Sequence, residues 1–219
     1  LVFVDQTRRV LQTTWANDDD RPRLLAVLTL TATGFLSAAL VIHLPFEYVS
    51  IVLAAEILAS GWLCHKLALP ALRRNGKLLY TAFAFVLTPQ VFLLLSLAVF
   101  SLTGFKMAIV GDTLPILDQP FFQLGLPAVM LAGASLFYRQ QKDGTFVKLL
   151  EVSAIALGAL MVYYITRHLL HPGENILFIK PAFGERGILT SIFFAGGLAA
   201  IYGGRKYARS AIAHTGTVL

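Results

Sequence analysis

The densest run of polar side chains is RHLLHPGEN, residues 167–175. Arg167 and His171 are four apart and His168 and His171 three apart, so a continued helix aligns them on one side. With Glu174 they could ligate zinc. Through Arg167 they could instead hold an anionic headgroup or a glycan. Two histidines and one acid fall short of a metal set, so a polar cap on a helix end is the leading reading, with no metal and no cofactor expected.

A second group lies inside apolar sequence. Glu56 sits near the centre of IVLAAEILASGW, and Gln90 follows Thr88 and Pro89 in another long apolar run. A charged group in hydrocarbon costs about 2.5–3.5 kcal/mol on insertion scales, so a mid-span acid needs a reason. Proline removes a backbone donor, predicting a kink that leaves the Phe85 carbonyl seeking a partner. Glu56 and this break could form a proton or cation site. The plainer reading is a protonated glutamic acid that hydrogen-bonds a neighbouring helix. Glu151 lies three residues from Lys148, a spacing that suits an interfacial ion pair. Together Glu56, Gln90 and Glu151 make the candidate intramembrane site. His43 and Glu47 flank the Pro45 turn, and His65 precedes Lys66 at a span end. No GxSxG, Walker-type, HExxH or EF-hand pattern occurs, so no catalytic residue is assigned.

The elements that must position these groups follow from composition. Of 219 residues, 57% are hydrophobic and 14% charged, and mean hydropathy is +0.71. A soluble domain is about 45–50% apolar and about 25% charged. Disorder, coiled coil and a water-soluble enzyme core are therefore excluded, leaving an all-α polytopic membrane bundle. The lone Cys64 rules out a disulfide framework. The net charge of +6 is spread between apolar segments rather than along one helix face, so nucleic acid is not expected as a partner.

A spanning helix needs about 20 apolar residues. Six stretches qualify: Leu24–His43, Tyr48–Ala68, Leu79–Leu102, Phe121–Tyr138, Leu149–Thr166 and Gly187–Gly204. Residues 1–23 read as a cytoplasmic or interfacial segment continuing from a longer chain, with Asp18–Asp20 a solvated linker. Residues 24–204 form the transmembrane domain and 205–219 a basic cytoplasmic tail. Fourteen Lys and Arg fall on one side of these spans: Arg8, Arg9, Arg21, Arg23, Lys66, Arg73, Arg74, Lys77, Arg139, Lys142, Lys148, Arg205, Lys206 and Arg209. Only Lys106, Arg167, Lys180 and Arg186 fall on the other. The positive-inside rule then puts both termini in the cytoplasm. The link Leu44–Glu47 is short enough to make the first two spans a tight antiparallel hairpin.

Small residues recur at spacing four: Gly196, Ala200 and Gly204 in the last span, Ala154 and Gly158 in the fifth, Ala128 and Ala132 in the fourth. Such stripes let helices approach closely. Two passages carry a family resemblance. FEYVSIVLAAEILASGWLCHKL is similar to the repeated aromatic–small–Glu–small–Trp-Leu hairpins of a bacterial family of large inner-membrane proteins, domain of unknown function 2339. YYITRHLLHPGENILF with GERGILTSIFFAGGLAAIYGGRK resembles that family's last two helices. Glu56 and Trp62 match the repeat's Glu and Trp; Arg167, His171 and Glu185 fall near its C-terminal polar positions. Leu53 stands where the repeat has an aromatic, and Cys64 where it has Gly. The resemblance spans most of 46–205 and implies the C-terminal part of a chain with many more helices, in a family without a settled activity.

The expected role is therefore a non-enzymatic structural or scaffold module of the bacterial inner membrane. Its expected partners are the lipid bilayer and other transmembrane helices of the same longer chain or of a membrane complex. A transporter or channel unit using Glu56 and the Pro89 break is the alternative. A further one is a membrane-embedded enzyme acting on lipid or glycan at the external face.

Overall fold

Without water to take up its hydrogen bonds, a chain this apolar satisfies its backbone internally, and helices do so within one segment. The computed structural model describes residues 21–67, 70–103, 121–140, 144–171 and 181–218, and among them there is no strand. The helices are α1 (Arg21–His43), α2 (Phe46–Leu67), α3 (Pro70–Thr103), α4 (Leu126–Arg139), α5 (Gly144–Leu170), α6 (Phe183–Lys206) and α7 (Ser210–Gly216). A π-helical turn, Phe121–Gly125, leads into α4. Four segments are long and apolar enough to cross a membrane: Tyr48–Lys66, Phe121–Arg139, Gly144–Leu170 and Phe183–Lys206.

The described residues of all six apolar stretches are helical, but three differences are informative. The third helix begins at Pro70, not Leu79, so Arg73, Arg74 and Lys77 sit on its first turns rather than in a loop. At 1.5 Å per residue, its 34 residues reach about 51 Å, well beyond a hydrocarbon core of about 30 Å. The helix also continues through Pro89, and the Thr88 hydroxyl donates to the Ala84 carbonyl at 2.5 Å. Third, residues 205–219 are not a plain tail: α6 runs on to Lys206, and α7 folds back against it. Residues 1–20, 104–120 and 172–180 lie outside the described residues, and with them Asp18–Asp20, Lys106 and Glu174.

The core lies among α2, α3, α4 and α5. Val49, Leu53 and Ile57 of α2 belong to one buried apolar cluster with Phe83 and Leu87 of α3, Leu131 and Tyr138 of α4, and Leu150 and Leu157 of α5. Two glycines admit Tyr138. A Cβ on Gly61 would lie 2.9 Å from the Tyr138 ring, and one on Gly76 would collide with its hydroxyl. Tyr138 also meets Phe146 edge to face at 4.9 Å between centroids, the geometry aromatic quadrupoles favour. Between α3 and α5 tyrosines reach across: Tyr80 shares a 2.6 Å hydrogen bond with Ser153, and the Tyr164 hydroxyl donates to the Leu94 carbonyl at 2.6 Å. An apolar cavity of about 320 Å³ lies between those two helices, lined by Phe83, Leu87 and Leu157 among others.

Candidate functional site

The polar residues at 167–185 form a clamp between the last turn of α5 and the first turn of α6. Arg167 is only 1% exposed and Glu185 6%. Arg167 Nε donates to Glu185 Oε1 at 2.7 Å, and His171 Nε2 meets Glu185 Oε2 at 3.0 Å. A carboxylate only accepts, so His171 carries its proton on Nε2 in this contact. Arg167 also lies 5.9 Å from the Tyr163 ring centroid, and its Nη1 reaches the Tyr163 hydroxyl at 3.4 Å. Position explains the convergence. Tyr163 and Arg167 on α5 and His171 just past its end are spaced four apart, the His171 N–H still bonding the Arg167 carbonyl, and Glu185 is the third residue of α6.

Glu185 has a second duty. Its Oε2 accepts the Ala182 backbone N–H at 3.2 Å, satisfying a donor at the start of α6. Arg186 turns the other way and donates to the Pro181 carbonyl at 3.1 Å. His168, adjacent to the clamp in sequence, has its Nε2 buried without a hydrogen bond. The alignment of Arg167 and His171 extends to Glu185 but does not draw in the His168 ring nitrogen. Glu174 lies outside the described residues. Among the described residues no group of three His, Cys, Asp or Glu side chains is placed to hold a metal.

A cavity of about 790 Å³ runs along α6 toward α7 and is lined by Tyr163, Arg186, Leu189, Phe193, Gly197 and Gly216 among others. Arg167, His171 and Glu185 do not line it. The clamp joins α5 to α6, and of the residues it brings together Tyr163 also lines this cavity.

The intramembrane candidates lie on three different helices, α2, α3 and α5. Glu56 is half-buried on α2, and the side chain of Gln90 on α3 lies outside the described residues. Glu151 is buried, and the sequence-based pairing with Lys148 is corrected: Glu151 Oε1 meets Arg209 Nη1 at 3.4 Å. Lys148 is exposed. The turn between α6 and α7 makes this possible. Ala208 takes a left-handed backbone conformation, φ 52°, and the Arg209 N–H returns to the Gly204 carbonyl at 2.6 Å. Arg139 Nη2 donates to the Tyr207 carbonyl at 3.0 Å and ties the end of α4 to the same turn.

The small-residue stripe is divided. Gly204 is buried against α7, where a Cβ would fall 2.5 Å from the Ala213 nitrogen. Ala200 and Gly197 face Gly216 of α7: a Cβ on Gly216 would lie 2.9 Å from the Ala200 Cβ and 2.7 Å from the Gly197 carbonyl oxygen. Gly196 faces open space. The packed set is therefore Gly197, Ala200 and Gly204, and its neighbour is a short helix from the chain's own end. The sequence reading missed Arg209, Tyr163 and Tyr207 as partners. A hint was present for Tyr163 in its i, i+4 spacing to Arg167; none marked the tail residues. Comparison with protein-family models, with curated proteins and with solved structures finds no match.

Proposed function

We propose that this chain is a multi-pass module of the bacterial inner membrane with a structural or scaffolding role in a larger envelope protein or complex. The observation that carries the reading is where the buried charge goes. Arg167, Glu185 and His171 join α5 to α6 at one end, and Glu151 and Arg209 join α5 to the α6–α7 turn at the other. Both ties work between helices, and Arg167, His171 and Glu185 do not line the 790 Å³ cavity beside α6. Large apolar side chains such as Phe35, Phe85, Phe92 and Phe194 face outward, as lipid or neighbouring helices require.

The same proposal includes six crossings, with α1 and α3 as the additional two, and both ends cytoplasmic. The fourteen-to-four division of basic residues supports that orientation. The likeness of Phe46–Leu67 and of the last two long helices to domain of unknown function 2339 belongs to this proposal as well, and it supports a place within a longer chain.

Transport through Glu56 or chemistry at the outer face predicts a different response to isosteric replacement. Glutamine keeps a donor and an acceptor but does not titrate. In cells whose own copy is deleted, Glu56→Gln and His171→Gln variants of the full chain should each restore the envelope phenotype and melt within a few degrees of the parent. A variant that inserts and melts normally yet restores nothing overturns the scaffold reading in favour of transport for Glu56, or of outer-face chemistry for His171.

A further inference from the structure

At the end of the bundle opposite the clamp, three cations surround one small cavity. Arg139 from the end of α4, Lys148 from near the start of α5 and Arg209 from the α6–α7 turn line a space of about 190 Å³, with Glu151 the one carboxylate among the described residues that line it. That carboxylate meets a single Arg209 nitrogen at 3.4 Å, long for a charge-assisted hydrogen bond, which runs about 2.7–2.9 Å. Arg209 Nε is buried and has no hydrogen-bond partner. Arg139 meets only the carbonyl oxygen of Tyr207 among its described hydrogen bonds. Lys148 makes no ion pair among the described residues. The cavity is thus net cationic and holds an unused, desolvated guanidinium donor, which costs free energy until an acceptor arrives.

We propose that this cavity binds a phosphate group, presented as the headgroup of an anionic phospholipid. A phosphodiester supplies the acceptor oxygens that guanidinium forks match. Its size suits a headgroup: drug-sized ligand pockets are about 300–1,000 Å³, and this one is smaller. Its level suits a lipid as well. Arg139 ends the apolar segment Phe121–Arg139, and Lys148 lies in the first turns of Gly144–Leu170, where a headgroup layer meets hydrocarbon. Leu149 and Val152, next along α5, are exposed apolar side chains that give the acyl chains a surface. Basic pockets between membrane helices bind anionic headgroups by this combination. The inference needs the helices to cross a bilayer but does not depend on the scaffold role or on which end is cytoplasmic.

The test uses the full chain in phosphatidylcholine nanodiscs, with phosphatidylglycerol titrated in and bound lipid read by native mass spectrometry. Removing one surface-level charge weakens headgroup binding about fivefold, so Arg139→Gln/Lys148→Gln should weaken phosphatidylglycerol binding about 30-fold. Lys148 is exposed and makes no ion pair among the described residues, so Lys148→Gln alone should weaken phosphatidylglycerol binding about fivefold and leave melting in pure phosphatidylcholine unchanged, whereas the double variant also loses the Arg139 hydrogen bond to the Tyr207 carbonyl. Lys66→Gln, which removes an exposed charge elsewhere, should leave phosphatidylglycerol binding as it was. Inorganic phosphate should compete weakly without matching the thermal stabilisation given by the lipid. Equal binding of the two lipids, or equal losses in Lys66→Gln and the double variant, overturns the proposal. Full stabilisation by inorganic phosphate alone overturns the lipid source and leaves a soluble phosphate ligand.

Discussion

The clamp between α5 and α6 makes a quantitative demand. Arg167 and Glu185 are almost fully buried and meet at 2.7 Å. Removing one member of such a pair leaves an uncompensated buried charge, at a cost of about 3–5 kcal/mol, whereas replacing both by apolar residues of similar volume is close to neutral. Arg167→Met and Glu185→Leu should therefore each destabilise the protein by about 3–5 kcal/mol. The double variant relieves the charge but leaves His171 Nε2 and the Ala182 N–H without their acceptor, a residual cost of about 1–3 kcal/mol. The two single costs together far exceed that residue, so the cycle should show a coupling of at least about 3 kcal/mol.

The assay is reversible unfolding in mixed micelles for the parent, both single variants and the double variant. A local readout accompanies it: hydrogen exchange at Leu189, buried one turn beyond Glu185, should accelerate in the single variants as the start of α6 loosens. Additive effects, with a coupling near the roughly 0.6 kcal/mol average for interhelical hydrogen bonds in a bilayer, would refute the reasoning. They would mean that water reaches the pair and screens it despite its burial.

Further outcomes follow from the α6–α7 contact and from the spans. Gly204→Ala should destabilise the α7 docking by about 1–3 kcal/mol, because its Cβ meets Ala213 backbone that cannot give way, while Gly196→Ala, facing open space, should leave melting unchanged; equal effects would refute the register of that contact. Ala200→Leu should likewise loosen α7, read as faster labelling of a cysteine placed at Ala213. For orientation, in a Cys64→Ala background, an impermeant thiol reagent added from outside should label Phe183→Cys, at a position 96% exposed, and not Gln140→Cys. The reverse pattern refutes cytoplasmic termini.

The helices were legible because hydrocarbon leaves few options: about 20 apolar residues in a row must satisfy their own backbone, and a helix does so. Their ends were less legible, since hydropathy marks where the apolar run stops and not where the helix stops. Proline is well suited to a first helical turn, so α3 starts at Pro70 and carries Arg73, Arg74 and Lys77 before its apolar run begins. The Glu151 partner was misread for a related reason. Helical spacing exposes Lys148 as a neighbour, but only the left-handed turn at Ala208 delivers Arg209 from the chain's end.

Packing faces were the least legible part, and the cause is the solvent. In water, the buried face of a helix is apolar and the other polar, so periodicity identifies it; in lipid both faces are apolar. Gly196 and Gly197 are then equivalent by composition, yet only Gly197 is buried. Nothing in the spacing of Gly61, Gly76 and Tyr138 reveals that one ring contacts both glycines. Polar residues escape this ambiguity because each one placed in an apolar helix must find a partner or bear a large cost. Arg167 and His171 could therefore be read as one helix side from sequence alone, and Glu185 answers them from α6. In a bundle of this composition, the few buried charges specify which helices meet, and apolar contacts fill in around them.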